Sequence, residues 1–196
     1  MANKIFALVG PYGSGKSTLI SKLIDLGVHY IPVYSTSDSL RLKQDKRLVN
    51  FVSKSAFSQG DWMVKVAYKG DYYGIKKQDM LDGIKTNRIN VTILDQNGVK
   101  QLAKLMTAHL KTIYLMTDYV SLVDRMLRLG LSNADMKYHL EYAESNNEFN
   151  FWKSADYIIN NTSDIDTAFN QLMAILGLSV NAPAEVIQKL NRMPQK

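Results

Sequence analysis

The chain has 196 residues, of which 46% are hydrophobic and 21% charged, a length that fits one domain or one domain with a small insertion and a composition that excludes wholesale disorder. No stretch approaches the roughly 20 uninterrupted apolar residues of a membrane span, and zero cysteines exclude disulfides and thiolate metal sites. The formal net charge of +6 is scattered, with groupings at Arg41 to Arg47 and Lys76-Lys77 but no basic run, so small phosphorylated ligands are expected and neither nucleic acid nor membrane is.

Met1 to Lys4 runs straight into the apolar segment Ile5 to Val9 without the pattern of a signal peptide, and with the lack of cysteine this places the chain in the cytoplasm. Ile5 to Val9 reads as a buried strand. Directly after it, residues 10 to 17 spell Gly-Pro-Tyr-Gly-Ser-Gly-Lys-Ser, the complete phosphate-gripping pattern G-x-x-x-x-G-K-[ST], and Thr18 to Ile24 continues as a helix. The spacing has a chemical reason. Glycines let successive backbone N–H groups turn toward one phosphate chain, and the helix adds its positive N-terminal end. Lys16 then reaches the β- and γ-phosphates while the Ser17 hydroxyl holds Mg²⁺. A nucleoside triphosphate, ATP with Mg²⁺, is therefore the expected cofactor.

Tyr30 to Tyr34 reads as one short strand leading into the polar stretch Ser35 to Arg47. Residues 48 to 75 carry short apolar runs bounded by Gly60, Gly70 and Gly74, which predicts a small β-rich insertion. A helix is expected over Lys76 to Ile84 and a buried strand over Asn90 to Leu94. Helix, strand and helix follow at about 98 to 108, 111 to 116 and 118 to 129, with Asp118 as an N-cap. A long polar helix is predicted from Ser132 to Asn150, and Ala155 to Asn160 as the last strand. Ser163 to Asp166 matches a capping box for a helix ending near Gly177. Pro183 opens a further helix to about Arg192, an appended segment whose Val186, Ile187 and Leu190 form one apolar edge. The alternation of strands and helices predicts an α/β fold, a three-layer parallel sheet covered on both faces.

Asp95 ends the strand of residues 90 to 94. A carboxylate at that point beside a phosphate loop is where P-loop enzymes orient Mg²⁺ or its water shell. The competing reading is a helix cap for the segment starting at Gly98.

The order and spacing of several further matches resemble the guanylate kinase family over residues 4 to 177. They are the phosphate loop with Tyr12 in place of a serine, Asn50-Phe-Val-Ser53 with Phe57, Gly70 to Gly74, and Ile93-Leu-Asp95 with Gly98-Val99. Arg125 in a helix leading to Gly130, Asp156 to Asn161, and Asp164 to Asp166 with Ala168 complete the series. The resemblance implies a P-loop NTPase-type fold in three parts: a core of about 1–34, 76–130 and 151–177, an acceptor-binding insertion of about 35–75, and a helical lid of about 125–150, with 178–196 as a C-terminal extension. It also implies transfer of the γ-phosphoryl group of Mg-ATP to GMP or a related small phosphorylated acceptor. By position, Gly10, Gly13, Ser14, Gly15, Lys16, Ser17 and Thr18 would hold the ATP phosphates, and Asn161 would lie near the adenine. Ser17 and Asp95 would attend the metal, and Asp95 the acceptor too. Arg125 and Arg128 would neutralise charge on the transferring group, although two arginines three apart are also the pattern of a solvated helix face.

Ser35, Arg41 and Tyr73 are the retained acceptor-site positions. The family's first acceptor arginine is Asp38 here, its base-reading glutamate falls at Val64, and a lid arginine aligns with His139, which is expected on the surface and given no role. Arg41, Lys43 or Arg47 could supply phosphate contacts by another route. These departures leave a second reading open, a kinase-like module that binds nucleotide or a protein partner without transferring phosphate. The intact Lys16, Ser17 and Asp95 favour the enzyme.

Overall fold

The computed structural model describes residues 3–37, 45–162 and 164–178. In chain order the described elements are β1 (Lys4–Val9), α1 (Lys16–Asp25), β2 (His29–Tyr30), β3 (Val33–Ser35), β4 (Val49–Phe51), α2 (Lys54–Gln59), β5 (Trp62–Tyr68) and β6 (Asp71–Lys76). They continue with α3 (Lys77–Thr86), β7 (Ile89–Ile93), α4 (Gln96–Met106), β8 (Leu110–Met116), α5 (Tyr119–Arg128), α6 (Asn133–Ser145), a 3₁₀ turn (Glu148–Lys153), β9 (Tyr157–Asn160) and α7 (Ile165–Ile175). Among the described residues no helix is long and apolar enough to cross a membrane.

Five strands form one sheet in the order β2-β7-β1-β8-β9, every pair parallel. β1 is central and apolar at nearly every position because helices cover both of its faces. Alternation sends Phe6 and Leu8 toward Leu19, Ile20 and Leu23 of α1 and Ala168 and Leu172 of α7. Ile5, Ala7 and Val9 point the other way, toward Met80 of α3 and Val99 and Leu102 of α4. Each fully buried side chain of this kind contributes about 1.5–3 kcal/mol relative to exposure. The expected three-layer α/β architecture is thus the observed one.

A second sheet, ordered β4-β3-β6-β5, lies beside the first. β3 pairs parallel with β4 and antiparallel with β6, and β5 pairs antiparallel with β6. Val64 and Ile75 of this sheet join the core cluster that contains Leu94 and Val99, so its foot is welded to the main sheet.

Four local expectations are corrected. Tyr30 to Tyr34 is not one strand: β2 ends at Tyr30 in the first sheet and β3 begins at Val33 in the second, separated by Pro32, which has no N–H to donate to a ladder. The long helix stops at Ser145, where Asn147 takes a left-handed conformation (φ 56) and a 3₁₀ turn follows. The last helix is capped by Asp164, whose carboxylate accepts from the Asp166 and Thr167 N–H groups, while Ser163 of the expected capping box lies outside the described residues. His139 is buried, at 8% exposure, instead of lying on the surface. The predicted C-terminal helix from Pro183, and with it Val186, Ile187, Leu190 and Arg192, lies outside the described residues.

Candidate active site

The carboxyl ends of the parallel strands deliver the chemistry. Lys16 opens α1 directly after the loop that follows β1, Asp95 follows β7, and Asn161 follows β9, so all three meet beyond the carboxyl ends of the strands, where open α/β folds bind ligands. Together with the second sheet and α6 they line an open cleft of about 1270 Å³.

Three glycines shape the loop: Gly10 at φ 152, Gly13 at φ 85 and Gly15 at φ 99. Gly15 is also sterically required, since a Cβ there would lie 2.4 Å from Asn161 Nδ2. Ser14 is fully buried and its carbonyl accepts from Asn161 Nδ2 at 2.7 Å. Lys16 Nζ donates to the carbonyls of Gly10 at 2.6 Å and Pro11 at 2.9 Å and to Ser14 Oγ at 3.4 Å. Burial pushes the Lys16 ammonium down to about 8, against the opposing charges of Glu148 and Asp95. Thr18 sits in the first turn of α1 at the mouth of the cleft, and Ser17 beside it makes no side-chain hydrogen bond among the described residues.

Asp95 is the helix cap and also lines the cleft. Its Oδ1 accepts from Gly98 N at 2.7 Å and caps α4, while Oδ2 accepts from the Tyr142 hydroxyl at 3.3 Å inside the cleft. Burial raises its pKa, with the Gly98 and Tyr142 hydrogen bonds and Lys16 pulling the other way.

The acceptor-side residues divide. Ser35 is fully buried and faces Tyr73 across the β3–β6 register, and Ser35 and Ser37 both hydrogen-bond with the Tyr73 phenol. Asp38, Arg41 and Lys43 fall outside the described residues. Arg47 is engaged elsewhere: it pairs with Asp25 at 2.6 Å and Asp45 at 2.6 Å, and Asp45 also accepts from Ser21, which ties this corner to α1. Val64 is 2% exposed and packs in the core at the position expected to read a base.

The two arginines also separate. Arg125 donates to the Asn161 carbonyl at 2.6 Å and to the Gly13 and Ser14 carbonyls at 3.4 Å, bracing the loop from its outer side. Arg128 pairs with Asp124 one turn earlier at 2.9 Å and its side chain is 78% exposed, so it stands on the rim. Its geometry is that of the solvated helix face.

Four cleft residues escaped sequence reasoning. Glu148 is 6% exposed in the cleft wall, and burial raises its carboxyl to about 7, with Lys16 opposing and Asp95 adding to the rise. The only signal for it is the Asn146-Asn147 pair, a residue type that tolerates the left-handed turn which swings Glu148 inward. Tyr12, Tyr68 and Tyr142, with His139, form an aromatic group over the loop. Three tyrosines from distant segments carry no common sequence pattern.

The arrangement suits a polyphosphate. A glycine cradle, a buried ammonium and a hydroxyl at a helix N-terminus are hydrogen-bonding and electrostatic complements of phosphate oxygens. No group of three His, Cys, Asp or Glu side chains able to hold a metal occurs among the described residues. The Ser17 hydroxyl and the Asp95 carboxylate, both in the cleft lining, are oxygen donors of the kind Mg²⁺ takes, one or two from protein with phosphates and water completing the shell.

Comparison with known proteins agrees with this chemistry. A family model described as guanylate kinase matches residues 2–178. A guanylate kinase of Bartonella henselae is 28% identical over 163 residues, covering 80% of this chain and 73% of that protein. One from Vibrio vulnificus is 26% identical over 181 residues, covering 88% of this chain and 86% of the relative. Among solved structures, guanylate kinase from Anaplasma phagocytophilum superposes with a TM-score of 0.68 at 19% identity, covering 100% of this chain and 97% of that one, a likeness of fold.

Proposed function

Since this chain belongs to the guanylate kinase family, we propose that it transfers the γ-phosphoryl group of ATP to GMP or a closely related small phosphorylated acceptor in the cytoplasm. One observation supports the reading: Lys16, Asp95 and Tyr73 line the same cleft of about 1270 Å³, which has room for a donor and an acceptor phosphate.

Gly10, Gly13, Ser14, Gly15, Lys16 and Thr18 would hold the triphosphate of ATP, with Ser17 and Asp95 on the Mg²⁺. The metal supplies charge neutralisation to the phosphate chain when bound. Lys16 supplies a desolvated positive charge, which acts more strongly in a water-poor cleft than in solvent. Tyr73 would donate to the acceptor phosphate, the fully buried Ser35 would reach it only after a rearrangement, and Arg41 beyond the described residues is the remaining candidate. Asn161 and Arg125 would keep the loop rigid on the nucleoside side, and Arg128 would act only by swinging in from the rim. In domain terms, the five-stranded sheet with its helices is the core, residues 35–75 form the acceptor region, 125–150 the lid, and 178–196 a C-terminal extension.

The test is ADP release from Mg-ATP against GMP, dGMP, AMP, CMP, UMP and ribose bisphosphate, with a no-acceptor control. Turnover with GMP above that control supports the proposal. No turnover with any acceptor, while Mg-ATP binding is retained, overturns it.

A further inference from the structure

The helix α6 touches three walls of the cleft. His139 stacks on Tyr12 of the phosphate loop with ring centroids 3.9 Å apart and planes 9° from parallel. Tyr68 of β5 lies beside it, with ring centroids 5.9 Å apart and planes 13° from parallel, and the Tyr68 hydroxyl hydrogen-bonds to His139 Nδ1. One turn on, the Tyr142 hydroxyl donates to Asp95. One turn back, Asp135 pairs with Lys69, whose backbone N–H donates to the Tyr138 hydroxyl at 3.1 Å. His139 thus joins the phosphate loop and the acceptor sheet to α6.

The neutral form of the ring follows from the surroundings. Burial pushes the Tyr68 phenol well above its ordinary range, so it stays a neutral hydroxyl that can serve the imidazole nitrogen as donor or acceptor. An imidazolium would put a charge in a site only 8% exposed, where the neighbouring carboxylate of Asp135 is already paired with Lys69. We propose that His139 is a positioning residue for phosphoryl transfer: as a neutral ring clamped between Tyr12 and Tyr68 it locks α6 across the phosphate loop and the acceptor sheet, and taking up a proton releases the lock.

The charges around the ring reinforce this. Burial, with the ammonium groups of Lys69 on the β5–β6 turn and Lys16 on α1 adding to it, lowers His139 to about 4, and only Asp135 opposes. Asp135 is already held by Lys69 and Ser132. Tyr12 is raised by burial, and Tyr138 and Tyr142 complete the neighbouring groups. In an open arrangement the ring titrates near the ordinary imidazole value of about 6.5. Closure is therefore complete above that value and is lost as pH falls from it toward about 4.

The inference rests on the proposed kinase function for its kinetic arm only. His139→Phe keeps a ring against Tyr12 but takes no proton, so the ratio of wild-type to variant kcat/KM with Mg-ATP and GMP is expected to fall about tenfold from pH 7 to pH 5. A ratio constant within twofold overturns the clamp. The second arm needs no turnover: hydrogen-exchange protection of α6, corrected for intrinsic rates, is expected to drop over the same interval in the wild type and in the folded variant to stay level. If no acceptor is phosphorylated yet this protection changes as stated, the kinase reading fails and the clamp stands. If α6 protection is equally pH-insensitive in both proteins, the clamp fails.

Discussion

Asn161 Nδ2 donates to the Ser14 carbonyl at 2.7 Å, fastening the turn after β9 to the phosphate loop, and the same amide nitrogen is what a Cβ on Gly15 would strike at 2.4 Å. The two positions are therefore coupled. Asn161→Ala removes a buried donor and is expected to destabilise by about 1–3 kcal/mol. Gly15→Ala adds left-handed strain (φ 99) to the clash. Because Asn161→Ala relieves the clash, the double variant should lose less than the sum of the two singles by more than about 0.5 kcal/mol in denaturant unfolding. Simple additivity would show that the loop moves aside freely.

Lys16 is charged below about 8 and loses its proton above it. The free enzyme's kcat/KM for Mg-ATP should accordingly fall as pH rises through about 8. Lys16→Arg, which holds its proton throughout, should flatten that limb even at a lower rate. Lys16→Ala should keep the fold and reduce turnover by about 10²–10³-fold. An unchanged alkaline limb in the arginine variant contradicts the assignment.

Asp95 both caps α4 and faces the cleft, and one substitution separates the roles. Asparagine caps helices about as well as aspartate, so Asp95→Asn should unfold within about 0.5 kcal/mol of the wild type while its kcat drops. Asp95→Ala should lose activity and about 1 kcal/mol of stability together. Equal activity in the asparagine variant would leave the cap as the sole role.

Glu148 predicts a pH-dependent stability difference. The unfolded carboxyl releases its proton near 4.5, whereas the fold holds it to about 7, so the native state binds more protons between those values and stability falls as pH rises through them. Glu148→Gln removes that loss. The variant should be more stable than the wild type at pH 8 by on the order of 1 kcal/mol, with the difference shrinking toward pH 4. A difference independent of pH argues against a buried, ionising Glu148.

The phosphate loop was legible because its constraint is local. Glycine spacing, the apolar strand before it and the helix after it lie within 20 consecutive residues, and each is dictated by backbone geometry. The parallel core was legible for a similar reason: Ile5 to Val9 is apolar at every position, and Val91, Ile93 and Leu94 make most of the next core strand apolar too. His139 was misread because a histidine on a polar helix is ordinarily exposed, and its burial depends on Tyr12 and Tyr68, 127 and 71 residues away by number. The break at Pro32 sat in plain view, yet only the presence of a second sheet explains where the chain goes after it.

By itself the sequence determined the fold class, the family and the glycine-rich loop that ends in Lys16 and Ser17. These follow from short-range patterns in which each residue's neighbours supply the physical constraint. Only the tertiary structure decided that Asp95 is cap and cleft carboxylate together, that Arg125 braces the loop while Arg128 pairs on the rim, and that Glu148 and His139 are buried. Burial, proton affinity and hydrogen-bond partnership depend on what the rest of the chain places within a few ångströms, and segments far apart in sequence set that distance.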